Sequence, residues 1–385
     1  MLSCGKVRPS SRSDAHILYL STVGVMPYDL GNPEIDGRLV ELVSAATTTQ
    51  HPDLINEMIV TAIKLGRDGA SRADLKLINT ALKEMRYSNL VFARHKEPKV
   101  TIYGSARIKE GDPNYALTEE FASIMANSGW GIITGAGPGI MEAGSRGAGI
   151  DHAYGVNIRL PFEDEVPEHI APERTVNFKY FFTRKLGFVK EAHAFILLPG
   201  GWGTLDETFE LLTLVQTGKS DLHPVVLLEA EGTGYWGPMI EFIQEQQLAR
   251  GLISESDMAL FFRTTDAQAA AEHMWHFYGN YHSSRYSGGR LVLRLNEEPS
   301  NETIEKLNED FADIVVDGKI EKVEPSAAEL EDSDALHLHR LAFVFDRRHF
   351  GRLRMMIDAL NDLVVAPKPS HLPEPMTEEH AERPW

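Results

Sequence analysis

One cysteine, Cys4, is all that the 385 residues contain. That excludes an intramolecular disulfide and any multi-cysteine metal site, and it fits a reducing, cytoplasmic setting. No apolar run reaches the roughly 18 residues that a membrane-spanning helix needs. Ser, Asp, His and Tyr break up the N-terminal stretch where a signal peptide would carry its apolar segment, so neither a membrane nor a secretory route is expected. Basic charge is short as well. Lys and Arg number 38 against 56 Asp and Glu, a formal net charge of −18. A chain with that balance is not built to neutralise a nucleic-acid backbone. It can still hold one small anion in a locally positive place, and Lys179, Arg184, Lys185 and Lys190 form a basic island. A solvated helix face would account for most such islands. What remains is ordinary: 43% hydrophobic and 24% charged residues, enough for a large core without staples.

Periodicity divides the chain into four parts. Residues 1–97 read as a weakly patterned arm followed by about three helices, with Leu39, Leu42 and Val43, then Leu54, Met58 and Ile59, then Leu75, Ile78, Leu82 and Met85 at helical spacing and Ser71 as a cap. Residues 98–282 alternate strands (99–103, 131–134, 153–158, 193–198, 225–228) with helices (113–128, 138–148, 180–191, 203–216, 235–248). That alternation, with short glycine-rich connections, predicts an α/β domain: a Rossmann-like doubly wound parallel sheet. Residues 283–366 predict a small α+β module of βαββα order, with strands at 290–295, 319–323 and 341–345 and helices at 301–315 and 350–364. The Pro-, Glu- and His-rich tail 367–385 has the composition of a disordered segment.

Two glycine-rich turns follow strands and lead into helices: Gly135-Ala-Gly-Pro-Gly139 and Pro199-Gly-Gly-Trp-Gly-Thr204. Glycine lets the backbone approach a ligand closely, and the first amides of a helix present partial positive charge to an anion, so a phosphate is the natural occupant. The first turn is not the dinucleotide fingerprint, because its third glycine comes one residue early and no acidic residue closes a second strand in the expected place. Gly218-Lys219-Ser220 imitates the end of a P-loop, but Thr213 stands where that motif has glycine. It also ends a helix, which makes Gly218 a C-cap.

Pro199-Gly200-Gly201-Trp202-Gly203-Thr204-Leu205-Asp206-Glu207 resembles the P-G-G-x-G-T-x-x-E signature of the LOG family, the cytokinin-activating phosphoribohydrolases and their bacterial nucleotide-nucleosidase relatives. Arg184-Lys185 matches that family's R-K pair, Gly104-Ser105 its G-S turn, and Gly135 to Met141 its second glycine loop, with Ala136 and Pro138 in place of more usual residues. The resemblance covers about residues 98–250, and the flanks make the chain look like a longer bacterial member.

The resemblance implies hydrolysis of the N-glycosidic bond of a nucleoside 5′-monophosphate, AMP or an N6-modified AMP in the first place, to free base and ribose 5-phosphate. It implies Glu207 as the catalytic carboxylate and Arg184 as the group that positions substrate and balances its charge. Such a carboxylate can stabilise an oxocarbenium-like ribose or activate a water. Gly104, Ser105, Gly135, Gly137, Gly139, Gly200, Gly201, Gly203 and Thr204 would hold the nucleotide, with Glu163, Lys185, Trp202 and Glu210 around it. Each has a plainer alternative. Arg184 could be bridged to Glu191, Glu210 could orient Arg184 or be a surface charge, Glu163 could be a solvated loop acid, and the aromatics Phe178, Tyr180, Phe181 and Phe182 could be core. His193 and His223 read as structural. No cofactor and no metal are expected. A homo-oligomer built on dimers is expected, and the flanking modules are expected to govern assembly or gate the site in response to a regulatory nucleotide. Two rival readings stay open. One is a Rossmann-like module that binds a nucleotide or cofactor without hydrolysing it. The other is a pyridoxal-dependent decarboxylase using Lys185, a label often given to this family.

Overall fold

The computed structural model describes residues 28–47, 49–158, 168–332 and 335–363. Cys4, Glu163, the tail 367–385 and most of the N-terminal arm lie outside the described residues. Two compact units divide the chain after Thr80.

In the first unit, helices α1 (Pro33–Ala46) and α2 (Pro52–Arg67) each begin with proline, whose fixed φ and missing N–H suit the first turn. Asn32 caps α1 by accepting from the amides of Glu34 and Ile35. Arg67 donates to the Leu30 carbonyl at 3.0 Å and Lys64 sits 3.5 Å over the Tyr28 ring, which fastens the described start of the chain to α2. Helix α3 (Arg72–Phe92) starts at Ser71, whose hydroxyl accepts from the Asp74 amide. The spacing predicted these helices. It did not predict that much of their apolar stripe is exposed: Leu42 57%, Leu54 49%, Met58 51%, Ile78 40% and Leu82 55%.

The second unit holds two sheets. The larger has seven strands in the order β4-β3-β2-β1-β5-β6-β7, all pairs parallel. These are β1 Lys99–Tyr103, β2 Gly131–Thr134, β3 Ala153–Ile158, β4 Thr175–Phe178, β5 Ala194–Leu197, β6 Val225–Leu228 and β7 Phe262–Thr264. The four central strands β1, β2, β5 and β6 are buried at every position, as expected when helices cover both faces. The covering helices are α4 (Pro113–Asn127), α5 (Ile140–Ala148), α6 (Phe181–Glu191), α7 (Trp202–Gln216), α8 (Trp236–Phe242, continued by a π-helical stretch Ile243–Leu248) and α9 (Ala267–Phe277). Buried His193 accepts from the Lys99 amide, and buried His223 faces the Tyr278 hydroxyl; both sit as structural groups.

The smaller sheet is antiparallel in the order β10-β11-β9-β8. Its elements are β8 Tyr281–Ser287, β9 Arg290–Leu295, α10 Asn301–Asp310, β10 Val315–Lys322, α11 Ala327–Asp332, β11 His339–Phe345 and α12 Phe350–Asn361. Leu291, Leu293, Leu295, Leu341, Phe343 and Phe345 join the larger sheet in one continuous core. Beside this sheet Glu329 is buried between two arginines. One of its oxygens accepts from Arg294 Nε and Nη2 at 3.0 and 2.7 Å and from Arg340 Nε at 3.1 Å. Helix α12 fastens the two sheets together. Its last residue, Asn361, accepts from the amides of Asn280 and Tyr281 and donates to the Phe277 carbonyl. Its first residue, Phe350, lies against Gly218 so closely that a Cβ there would fall 2.0 Å from the ring. With φ at +65°, Gly218 has the left-handed conformation of a helix end.

Three expectations need correction. The βαββα order omits β8, which makes a hairpin with β9 across Gly288-Gly289, both at positive φ. The helix expected over 301–315 ends at Asp310, because Val315 already starts β10. The larger sheet gains β4 and β7 at its two edges.

Candidate functional site

Strands β1 and β5 are neighbours, and from them the chain continues toward opposite edges of the sheet. Loops that leave the carboxyl ends of such a pair diverge and open a crevice. Backbone hydrogen bonds tie three loops together at this end. The Ser105 amide, after β1, donates to the Pro199 carbonyl, after β5, at 3.1 Å. The Ile140 amide, at the start of α5, donates to the Ser105 carbonyl at 3.1 Å. Gly139 permits this junction: its φ is +73° and a Cβ there would lie 2.5 Å from the Ser105 carbonyl oxygen. Gly104, Gly135, Gly137, Gly200, Gly201, Gly203 and Thr204 all lie in these three loops or the helix starts they feed.

Helix α6 delivers Arg184 into the same place. Among the described residues its guanidinium bonds only to carbonyls, Nε donating to Val156 at 2.8 Å and Nη2 to Gly135 at 3.3 Å, and it lies 5.1 Å from the Phe188 ring centre. Gly135 makes room for it, since a Cβ there would be 2.3 Å from Nη2. Arg184 is 9% exposed. Burial lowers its pKa, and the charge of Glu207 opposes that shift.

Glu207 sits in the second turn of α7. Among the described residues it takes part in no hydrogen bond or ion pair, although Arg184 is near enough to act on its charge. Burial pushes its carboxyl up to about 7, against the smaller downward pulls of Arg184 and Lys185. A carboxyl poised near neutrality can take and return a proton.

Other residues fall into place around this pair. Lys185 bridges α6 to α7 through Asp206 at 2.7 Å and Glu210 at 3.1 Å. Burial alone would lower its pKa, but the two carboxylates outweigh that and raise it. Glu210 thus bears on Lys185 instead of orienting Arg184, and Glu191 pairs with Lys190 instead of Arg184. Trp202, in the glycine motif, is 92% exposed. Phe178 is core, whereas Phe181 and Phe182 are 60% and 53% exposed. Tyr180 stacks on Phe182 at 5.4 Å. No group of three or more His, Cys, Asp or Glu among the described residues could hold a metal ion. No described helix is long and apolar enough to cross a membrane.

Sequence reasoning missed Tyr235, whose hydroxyl donates to the Gly200 carbonyl at 2.6 Å. Its only signal is a tyrosine after the Gly232-Thr-Gly234 turn that follows β6.

Comparison with known proteins centres on the same region. Residues 136–274 match the family described as "Possible lysine decarboxylase". A cytokinin riboside 5′-monophosphate phosphoribohydrolase from rice is 31% identical over 42% of this chain and 66% of its own length. A pyrimidine/purine nucleotide 5′-monophosphate nucleosidase from Escherichia coli is 26% identical over 43% of this chain and 39% of its own. The chain spans about half or less of the first curated relatives it matches, 47% and 32% of two of them. A solved structure of the molybdenum cofactor carrier protein from Chlamydomonas reinhardtii aligns over 46% of this chain and 94% of its own, at 20% identity and a TM-score of 0.30.

Proposed function

We propose, from the premise that this chain belongs through residues 136–274 to the LOG family, that it hydrolyses the N-glycosidic bond of nucleoside 5′-monophosphates. AMP or an N6-modified AMP is the favoured substrate, and free base and ribose 5-phosphate are the products. The observation that carries this reading is the relation of Arg184 to Glu207. The two are close enough to shift each other's pKa, yet neither forms an ion pair among the described residues, at the mouth of glycine loops suited to a phosphate.

In this reading the amides at the start of α7 and the loops at Ser105 and Gly137 hold the 5′-phosphate. Arg184 positions the nucleotide, and its fixed guanidinium is preorganised for the charge the substrate brings. The bond from the ribose anomeric carbon to the base nitrogen breaks with its electron pair going to the base. Glu207 as carboxylate stabilises the oxocarbenium-like ribose, takes a proton from the attacking water and passes it to the base nitrogen that received the electron pair, which restores the carboxylate. Water and monophosphate become base and ribose 5-phosphate, and no cofactor enters the balance.

Lys185 argues against the decarboxylase reading. A Schiff base needs a neutral amine, and this ammonium is held charged by Asp206 and Glu210. The non-hydrolysing binder is the remaining rival, and for it a carboxyl near neutrality beside the loop has no use. A homo-oligomer is part of the proposal too. The exposed stripe on α1, α2 and α3 and the exposed Phe181, Phe182 and Trp202 are the apolar surfaces a second copy would cover. Release of adenine from AMP, with adenosine as control, tests the reaction: cleavage of neither compound while AMP binds would leave the binder.

A further inference from the structure

In the reading above, the loop after β5 must hold its amides toward a phosphate. Glycine is the residue least able to keep such a conformation unaided, so the loop needs a support from outside. Tyr235 stands where that support would be, its phenolic hydroxyl donating to the Gly200 carbonyl at 2.6 Å. A trans peptide keeps its C=O and N–H in one plane and pointing opposite ways. Fixing the Gly200 carbonyl therefore fixes the Gly201 N–H as well, on the side away from the tyrosine. A Cβ built on Gly201 or Gly203 meets nothing within 4 Å, which leaves space for a ligand to approach the backbone there.

Tyr235 is itself held from behind. Glu229, at the end of β6, is a carboxylate only 1% exposed. One of its oxygens accepts from the Tyr235 amide, from the Thr233 hydroxyl at 3.2 Å and from the Trp236 amide at 3.3 Å. The other accepts from Arg263 Nε at 2.9 Å. The Trp236 indole, fully buried, donates to the Leu228 carbonyl at 3.1 Å and packs edge-on against the Tyr235 ring. A rigid turn at the end of one strand thus reaches the glycine loop at the end of the next.

We propose that Tyr235, held by Glu229, is a positioning residue that sets the Gly200–Gly201 peptide and with it the affinity of the loop for the substrate's 5′-phosphate. The inference rests on the phosphate-cradle reading of that loop.

Tyr235→Phe removes the hydroxyl and little else. Hydrogen exchange of a peptide covering residues 198–206, calorimetric binding of ribose 5-phosphate, and kcat and KM for AMP are measured on wild type, Tyr235→Phe, Glu229→Gln and the remote control Tyr286→Phe. The expected result in Tyr235→Phe is faster exchange in that peptide and ribose 5-phosphate binding weakened about fivefold, the worth of one ordinary hydrogen bond. The KM for AMP rises by a similar factor and kcat changes less. Glu229→Gln moves the same readouts in the same direction, and Tyr286→Phe moves none. A lowered Tm with unchanged loop exchange and unchanged affinity shows a purely structural tyrosine and overturns the proposal. Wild type that binds ribose 5-phosphate but cleaves no monophosphate sinks the hydrolase reading alone, and exchange and affinity still decide Tyr235. Wild type that binds no ribose 5-phosphate overturns both.

Discussion

Each sheet of the second unit carries a buried arginine with a glutamate near it, and the two glutamates behave in opposite ways. Beside the antiparallel sheet, Glu329 is saturated. Burial pushes its carboxyl up, but the Ser326 amide and Arg294 outweigh this and bring it down to about 2. At the end of the parallel sheet, Arg184 donates to two carbonyls and Glu207 rises to about 7. Desolvation pushes both upward, and partnership differs. A carboxylate given every partner it can use becomes part of the frame. One that forms no ion pair among the described residues is raised toward neutrality, and the fold bears that cost at the place where chemistry is proposed.

The largest expected effect is on the unsaturated side. Glu207→Gln should lower the rate of adenine release from AMP by about 10³-fold, the scale of a lost proton-transfer group, while the variant unfolds no earlier than wild type at pH 8. A variant retaining more than a tenth of the rate would remove Glu207 from the mechanism. On the saturated side, Glu329→Ala leaves two arginines facing each other and should destabilise by about 3–5 kcal/mol, measured by urea denaturation. Turnover per folded molecule should hardly change, and a selective loss of kcat without loss of stability would show that the comparison is drawn wrongly.

Gly135→Ala tests how Arg184 is seated. The new methyl would displace the guanidinium, so activity should fall by about 10²-fold with far less effect on unfolding; equal activity would mean that the arginine's position is unimportant. The smallest effect is in the pH dependence, where the two carboxyls carry opposite signs. Glu329, depressed to about 2, contributes stability that is full above its ordinary value of 4.5 and lost as pH falls below it. Glu207, raised to about 7, contributes stability that is full below 4.5 and lost as pH rises through 7. Melting curves of wild type and Glu207→Gln should therefore separate as pH climbs from 5 to 8, in favour of the variant. Over the same range kcat/KM for AMP should rise through about 7 as the carboxylate forms, and a rate that falls there would assign Glu207 the acid's part instead.

Much of the central fold was legible, because its signals are local. Val225 to Leu228 is an uninterrupted apolar run, and Pro199 to Glu207 is a motif whose every position is set by one turn and one helix start. The strands that were missed lie at edges, where burial does not constrain composition. Phe262–Thr264 is three residues long, and Thr175–Phe178 carries an exposed Asn177. Tyr281–Ser287 hid behind its serines, although Gly288-Gly289 is a hairpin signal that could have revealed it. Arg184 and Glu207 were singled out by motif. That Lys185 would draw Glu210 away, and that Tyr235 would reach Gly200, depends on helices and turns meeting across the sheet, which no local pattern records.

Phe350 gives α7 a fixed stop. The helix that carries Glu207 begins on the glycine loop and ends at Gly218 under that ring, while Gln216 in its last turn holds Asp257 at 2.7 Å. Its axial freedom is thus taken up from both directions, and only one of the two restraints belongs to the parallel sheet. For protein engineering the C-terminal module is therefore not detachable cargo. A chain shortened to the parallel sheet would uncover a helix end shaped around an aromatic ring, with a left-handed glycine and nothing to press on it. A workable miniature of this protein would have to redesign that end before the Glu207 carboxyl could be expected to hold its place.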